Sequence, residues 1–199
     1  TILTSRLIRL EYNPEGVFED RPSQAFWCRR QSVPEFSVRH NETGIEIETE
    51  HLVVRYRDDG TGFTPESLTT LLKADGTVWH FGDPEPGNLG GTFRTLDRAD
   101  GAVALEPGLV SLDGWTAVDD SESLVFDKDG WLVVRGAPGG TRDIYLFGYG
   151  NDYASCLRDF RRVAGQVPLV PRWALGNWWS RYHVYTADDL TDLMQDFRA

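Results

Sequence analysis

Residues 168–186 run Pro168-Leu169-Val170-Pro171-Arg172-Trp173-Ala174-Leu175-Gly176-Asn177-Trp178-Trp179-Ser180-Arg181-Tyr182-His183-Val184-Tyr185-Thr186. Proline locks φ and has no N–H to donate, so Pro168 and Pro171 mark a linker. Ala174–Trp179 follows as a short apolar strand, and an aromatic loop comes next. Thr186-Ala187-Asp188-Asp189 reads as a capping box in which a shorter Asp stands for the usual Glu. The helix it opens places Leu190, Leu193, Met194 and Phe197 on one side. One strand and one helix cannot bury that side between them, so it is expected to lie bare or to find a partner. These residues are expected to open a domain whose remainder lies beyond them, which makes the chain a front end.

Upstream, from Arg6 to Tyr149, short apolar runs alternate with turn residues, and no helical period is sustained over three turns. Strands are expected at Arg6–Tyr12, Phe36–His40, Gly44–Thr49, His51–Arg57, Leu68–Lys73, Thr77–Phe81, Ser123–Phe126, Trp131–Arg135 and Asp143–Phe147. In Ile45-Glu46-Ile47-Glu48-Thr49 both isoleucines fall on one face and both glutamates on the other, as a half-buried strand requires. Five Asp-Gly pairs, at 59–60, 75–76, 100–101, 113–114 and 129–130, mark tight turns. Many short antiparallel strands joined in this way predict a mainly β, antiparallel sandwich. The pattern changes at Asn151: Asp152 can cap a helix in which Tyr153, Cys156 or Leu157, Phe160 and Ala164 recur at helical spacing, ended by Gly165.

The chain carries 20 basic and 31 acidic residues, a net charge of −11, which repels phosphate backbones and anionic membranes. Nucleic acid and membrane are therefore not expected partners. No apolar run approaches the length of a membrane span, and Thr1–Ser5 lacks the order of a secretion signal. Cys28 and Cys156 are too far apart for a metal knuckle, and one pair is no disulfide framework; two free thiols, buried or partly buried, are expected. That mildly favours a reducing compartment, and cytoplasmic localisation is the expectation.

The 168–186 stretch resembles the P-x-x-P-x-W/Y-A-L-G-x-W-x-S-R-Y/W run of glycoside hydrolase family 31. In that family the run lies where a β-sandwich hands over to a (β/α)8 barrel. Asn88-Leu89-Gly90-Gly91-Thr92-Phe93-Arg94-Thr95-Leu96-Asp97 resembles the family's N-x-G-G-T-x-R-T-L-D segment. Leu105-Glu106-Pro107-Gly108-Leu109-Val110-Ser111-Leu112-Asp113-Gly114-Trp115 continues the likeness. The resemblance implies a galactose-mutarotase-like sandwich over residues 1–149, a linking helix over 150–167, and the first βα unit of an incomplete barrel over 168–199. It implies a retaining hydrolase of α-linked glucosides or xylosides that needs no cofactor. The family's catalytic aspartates sit on later barrel strands, so no catalytic residue is expected here. The isolated chain should be inactive.

What the resemblance transfers is pocket wall. Tyr182 falls where the family places an aromatic residue bordering the sugar subsite, and Trp178 and Trp179 precede it. Both Trp could instead pack in the barrel and against the sandwich. Asn88 and Leu89, with their glycine neighbours, lie in a loop that family members send toward the barrel mouth. The alternative is a turn that holds Arg94 and Asp97 in an internal pair. An oligosaccharide or glycoside substrate is the expected partner, and a homo-oligomer is left open.

Other chemistries fare poorly. Adjacent acids such as Asp119-Asp120, Asp58-Asp59 and Asp188-Asp189 point apart on any regular element, so they form no paired acid and base. His40, His51, His80 and His183 lack zinc spacing, and no nucleophile elbow or phosphate loop occurs. Asp127-Lys128-Asp129-Gly130 starts like a calcium loop but reads as a hairpin turn. A free-standing carbohydrate-binding sandwich is the competing expectation, and a lyase or transglycosylase on the same framework is a third.

Overall fold

The computed structural model describes residues 1–92, 99–136, 138–167, 169–176, 178 and 181–198. The chain forms two compact units, Thr1–Gln166 and Val167–Ala199.

The first unit is mainly β and antiparallel. Its strands are β1 (Leu7–Tyr12), β2 (Phe36–Asn41), β3 (Gly44–Thr49), β4 (Leu52–Arg57), β5 (Leu68–Leu72), β6 (Val78–His80), β7 (Thr116–Asp119), β8 (Val125–Phe126), β9 (Leu132–Val133) and β10 (Arg142–Phe147). A five-stranded sheet follows chain order, β2-β3-β4-β5-β6, as expected where tight turns join neighbours. A three-stranded sheet has the order β1-β10-β7 and so pairs residues more than a hundred positions apart. The five Asp-Gly glycines all have left-handed backbone, with φ of 79 to 88°.

Period-two alternation assigns the layers. In the larger sheet, Val38, Ile47, Val54, Thr70 and Trp79 lie in one cross-strand row on the inner face. That face packs on Ile8, Leu10, Ile144 and Leu146 of the smaller sheet in one apolar core. Each fully buried aliphatic or aromatic side chain of this kind contributes about 1.5–3 kcal/mol relative to exposure. The outer face carries an ion ladder, with Glu46 bonded to Arg39 at 3.1 Å and Arg55 at 2.7 Å. The glutamates of β3 thus face outward, as the alternation predicted.

The opposite face of the smaller sheet carries Leu7, Tyr145 and Phe147, which are covered by Phe26 and by α1 (Tyr153–Ala164). Phe26 stacks parallel on Tyr145, and Phe160 meets its edge. Asp152 caps α1 by accepting from the Ser155 amide, and Gly165 closes the helix with φ of 98°. Cys156 rather than Leu157 is the buried member of the helical repeat.

Farther along that face the residues are charged. Arg9 reaches Asp143 through Nε at 2.7 Å and Nη2 at 2.9 Å, and Glu11 lies 2.9 Å from Arg9 Nη2. Arg135 bridges Asp143 at 2.7 Å and Asp120 at 2.6 Å. All five side chains are at most 8% exposed. Burial works against the Arg9 charge, but the Asp143 carboxylate more than offsets it and raises the guanidinium pKa.

Several expectations are corrected. Thr116–Asp119 forms β7, which was missed because four residues give too short an alternation to read. Strands expected at Ser123–Phe126 and Trp131–Arg135 shrink to two residues each around a hairpin turn, in which Asp127 Oδ1 accepts from the Asp129 and Trp131 amides. Cys28 is exposed rather than buried or partly buried, although its backbone N–H is tied to the Val163 carbonyl.

The second unit holds a short 3-10 helix, Arg172–Leu175, and α2 (Ala187–Asp196). The strand expected over Ala174–Trp179 does not form at Ala174 or Leu175, which lie in the 3-10 helix. A lone strand has no ladder to satisfy its backbone. Local bonds do so instead, from Ala174 N to Pro171 O at 2.9 Å and from Gly176 N to Trp173 O at 3.1 Å. The capping box does form, with Thr186 accepting from the Asp189 amide and the Asp189 side chain accepting from Thr186 N. No residue of α2 is buried; Leu190, Met194 and Phe197 are all exposed.

Candidate functional site

The two motifs that lie on either side of residues 93–98 meet in space. Leu89 N donates to Val110 O at 3.0 Å, Leu112 N to Gly87 O at 2.8 Å, and Gly91 N to Glu106 O at 2.7 Å. Asn88 and Ser111 form a bridge between them. Residues 85–92 and 105–116 therefore make one clamp.

Asn88 is the pin of this clamp. Its Nδ2 donates to Glu85 Oε1 at 3.0 Å and to the Gly108 carbonyl at 3.0 Å, while its Oδ1 accepts from the Gly90 amide at 2.9 Å and the Gly108 amide at 2.7 Å. A side-chain amide has two donor hydrogens and two acceptor lone pairs. All four are used within the protein, so Asn88 positions the loop while Leu89 beside it stays 48% exposed. Gly108 leaves no room for a β-carbon, which would run into the carbonyl of Gly90. Gly87 is similarly close to the Asp113 carboxylate, which accepts its amide at 2.8 Å. The expected Arg94–Asp97 alternative lies outside the described residues.

Sequence reasoning missed Glu85 and Cys156 as parts of this clamp. Glu85 Oε1 also accepts from Thr116 Oγ1 at 2.6 Å, which ties the loop to β7. Cys156 Sγ donates to the Leu109 carbonyl at 3.2 Å, and burial pushes its thiol pKa up to about 12. A buried polar side chain on α1 opposite a Gly-rich loop is the signal that could have found it.

The remaining expected residues lie in the second unit. Trp178 packs obliquely against Trp173 with ring centroids 6.2 Å apart, and its Nε1 donates to the Ala174 carbonyl at 2.9 Å. Both rings are 72% exposed, and Tyr182 is wholly exposed. Trp179 lies outside the described residues. The structure thus groups Asn88 with Leu89 and Trp178 with Trp173, each pair within its own unit.

A second recess, not foreseen from the sequence, opens between the two sheets. It has a volume of about 340 Å³, with Ile45, Ile47 and Val54 on its floor, Tyr12 and Tyr56 in its wall, and Glu11 at its rim. Burial raises the Glu11 carboxyl pKa despite the neighbouring Glu19 amide and Arg9. Among the described residues, no three His, Cys, Asp or Glu side chains converge on a metal position, and no helix is long and apolar enough to cross a membrane.

The first unit thus presents a braced loop on an antiparallel β scaffold, and the second unit, taken by itself, presents exposed aromatic rings. No family model matches the chain. An α-xylosidase of Saccharolobus solfataricus is 24% identical over 177 residues, which take in 82% of this chain and 24% of the xylosidase. The chain spans about a quarter of the length of this curated relative. Among solved structures, a GH31 dextranase of Flavobacterium johnsoniae, a mutant complexed with isomaltotriose, matches with a TM-score of 0.48 at 15% identity, covering 87% of this chain and 26% of that one. The chain is similar to the N-terminal part of a glycoside hydrolase family 31 enzyme.

Proposed function

We propose that the chain is the N-terminal portion of a retaining α-glycoside hydrolase of the family 31 type, acting on α-linked glucosides or xylosides. In this reading residues 1–149 are a mutarotase-like sandwich, α1 links onward, and residues 168–199 begin a (β/α)8 barrel that completes elsewhere in the protein. The alignment to the α-xylosidase over 82% of the chain is the observation that carries it. The braced loop supports it as well: a pocket wall must be held in place before substrate arrives, and the Asn88 side chain braces the loop that carries Leu89 with four hydrogen bonds to Glu85, Gly90 and Gly108. Tyr182, Trp178 and Trp179 would supply aromatic faces that stack on the apolar C–H patches of a pyranose. The buried acids Asp120 and Asp143 are engaged by arginines and so are unsuited to the paired acid and nucleophile that retention needs. In this reading, as the family resemblance implies, the catalytic aspartates lie on later barrel strands.

The test uses the protein that contains this chain, assayed on aryl α-xyloside and α-glucoside. Tyr182→Ala should lower kcat/KM by about tenfold or more, equivalent to roughly 1.4 kcal/mol, while thermal stability stays unchanged. Unchanged kinetics would remove Tyr182 from the pocket.

The exposure of Trp173 and Trp178 favours a second reading, a free-standing carbohydrate-binding module with these rings as its platform. Calorimetric titration of the 199-residue chain with malto- and xylo-oligosaccharides separates the two. Binding at millimolar or tighter affinity supports the module, and no binding supports the enzyme fragment.

A further inference from the structure

Glu85 stands between two prolines, Pro84 and Pro86. Each proline fixes its own φ, and a residue that precedes proline is held to extended backbone, so the direction of the Glu85 side chain is narrowed before the chain folds. Pro86 and Gly87 then fill a β-turn closed by the Asn88 amide, which donates to the Glu85 carbonyl at 3.2 Å. The turn brings the two side chains together. Asn88 Nδ2 donates to Glu85 Oε1 at 3.0 Å, and the same oxygen accepts from Thr116 Oγ1 at 2.6 Å.

The two limbs of the clamp are tied down differently. On residues 105–116, the Gly114 carbonyl accepts from Gly150 N at 2.8 Å and the Leu109 carbonyl from Cys156 Sγ at 3.2 Å. On residues 85–92, which carry Leu89, the amides of Gly87, Leu89 and Gly91 donate to the other limb. Among the described residues, the bond from Thr116 to Glu85 is the one that joins this limb to a strand, since the buried Thr116 opens β7 and pairs with Phe147 of β10. The residue type follows from the donors. A carboxylate only accepts, so a hydroxyl and a side-chain amide can converge on one of its oxygens. A donor in its place would turn the Asn88 amide round and set its Nδ2 against the N–H groups of Gly90 and Gly108.

We infer that Glu85 is a positioning residue of the sugar pocket, acting through Asn88 to hold the Leu89 loop against β7; this rests on the reading of that loop as pocket wall. Glu85 touches no substrate in this role. It sets where Leu89 stands when substrate arrives, so its loss weakens binding while leaving the chemical step in place.

Glu85→Ala, Glu85→Gln, Thr116→Val and Leu89→Ala are compared in the whole protein that contains this chain, by hydrogen exchange and by kinetics on aryl α-xyloside and α-glucoside. Glu85→Ala should speed exchange of the Gly90 and Gly108 amides by about tenfold or more. It should also raise KM by about fivefold or more with kcat held within about twofold. Glu85→Gln, whose amide oxygen can accept the same two bonds, should restore both. Thr116→Val cuts only the tie to β7 and should raise KM in the same direction, also where Glu85→Ala does not fold. Unchanged exchange in Glu85→Ala, or unchanged KM in Thr116→Val, overturns the inference. Faster exchange in Glu85→Ala with unchanged KM overturns it too, and Leu89→Ala then separates two causes. A raised KM in Leu89→Ala keeps the loop in the pocket and removes Glu85 alone, whereas an unchanged KM there removes the loop from the pocket as well.

Discussion

Residues 1–166 and 167–199 use similar side chains to opposite ends. The first unit sinks Trp79, Tyr145, Phe147 and Phe26 to within 1% of complete burial, whereas the second leaves Trp173, Trp178, Val184 and Met194 more than half exposed. The difference lies in how many faces each can close. Two sheets and a helix give the first unit two interlayer cores, while one short turn and one helix give the second none among the described residues. Stability that the first unit draws from packing, the second must draw from local devices such as the Thr186 capping box.

This contrast can be broken by substitution. Asp143→Ala strips Arg9 and Arg135 of their shared partner in the interior and is expected to cost about 3–5 kcal/mol in urea unfolding of the first unit. Asp189→Ala, which removes an exposed cap, should loosen only α2 by about 0.5–2 kcal/mol, seen as lost helical circular dichroism without a shift of the main transition. Between these two in size falls Gly108→Ala, which forces a β-carbon onto Gly90 and should cost about 1–3 kcal/mol.

Alkaline pH sharpens the comparison without mutation. Burial raises the Cys156 thiol from its ordinary 9.0 to about 12, the Tyr145 phenol from 10.0 to about 12, and the Tyr149 phenol further in the same direction. The folded chain holds these protons after the unfolded chain has released them, so their contribution is fully present below pH 9 and fades as pH climbs toward 12. The urea midpoint of the first unit should fall steadily over that range, and Cys156→Ser should blunt its early part.

The smaller effects run the other way. Thr70 and Trp79 are cross-strand neighbours in the core, and Thr70 Oγ1 and Trp79 Nε1 are both buried with no hydrogen-bond partner among the described residues. Thr70→Val keeps the shape and removes the unpaired hydroxyl, so it should raise stability by up to about 1 kcal/mol. Cutting the chain after Gln166 should leave the midpoint of the first unit where it was, since the core residues described for it all precede that point.

Much of this architecture was legible because it is local. Gly44–Thr49 announces β3 through its alternation, the Asp-Gly pairs mark turns that all adopt positive φ, and Asp152 and Thr186 cap the helices they precede. What stayed hidden depends on distant partners. Asn88 and Gly108 each read as loop residues, and only folding reveals that one side chain satisfies the other's backbone in both directions. The recess beside Glu11 arises because two sheets differ in width, a property of pairing order that no single window contains. Ala174 and Leu175 show the reverse failure: they are apolar enough for a strand, but no neighbouring strand pairs with them, and the backbone curls to satisfy itself.

The pairing of β1 with β10 also has a consequence for synthesis. Leu7–Tyr12 leaves the ribosome well before its hydrogen-bonding mate, Arg142–Phe147, which follows some 130 residues later. At about 5–20 residues per second, roughly 7–26 s pass in which this greasy nascent segment has no sheet to join. The Asp143 carboxylate that neutralises Arg9 arrives in the same late installment, so closure of the smaller sheet and quenching of its buried charge are one event. Holdase chaperones that favour apolar stretches should therefore find a target in Leu7–Tyr12 during translation.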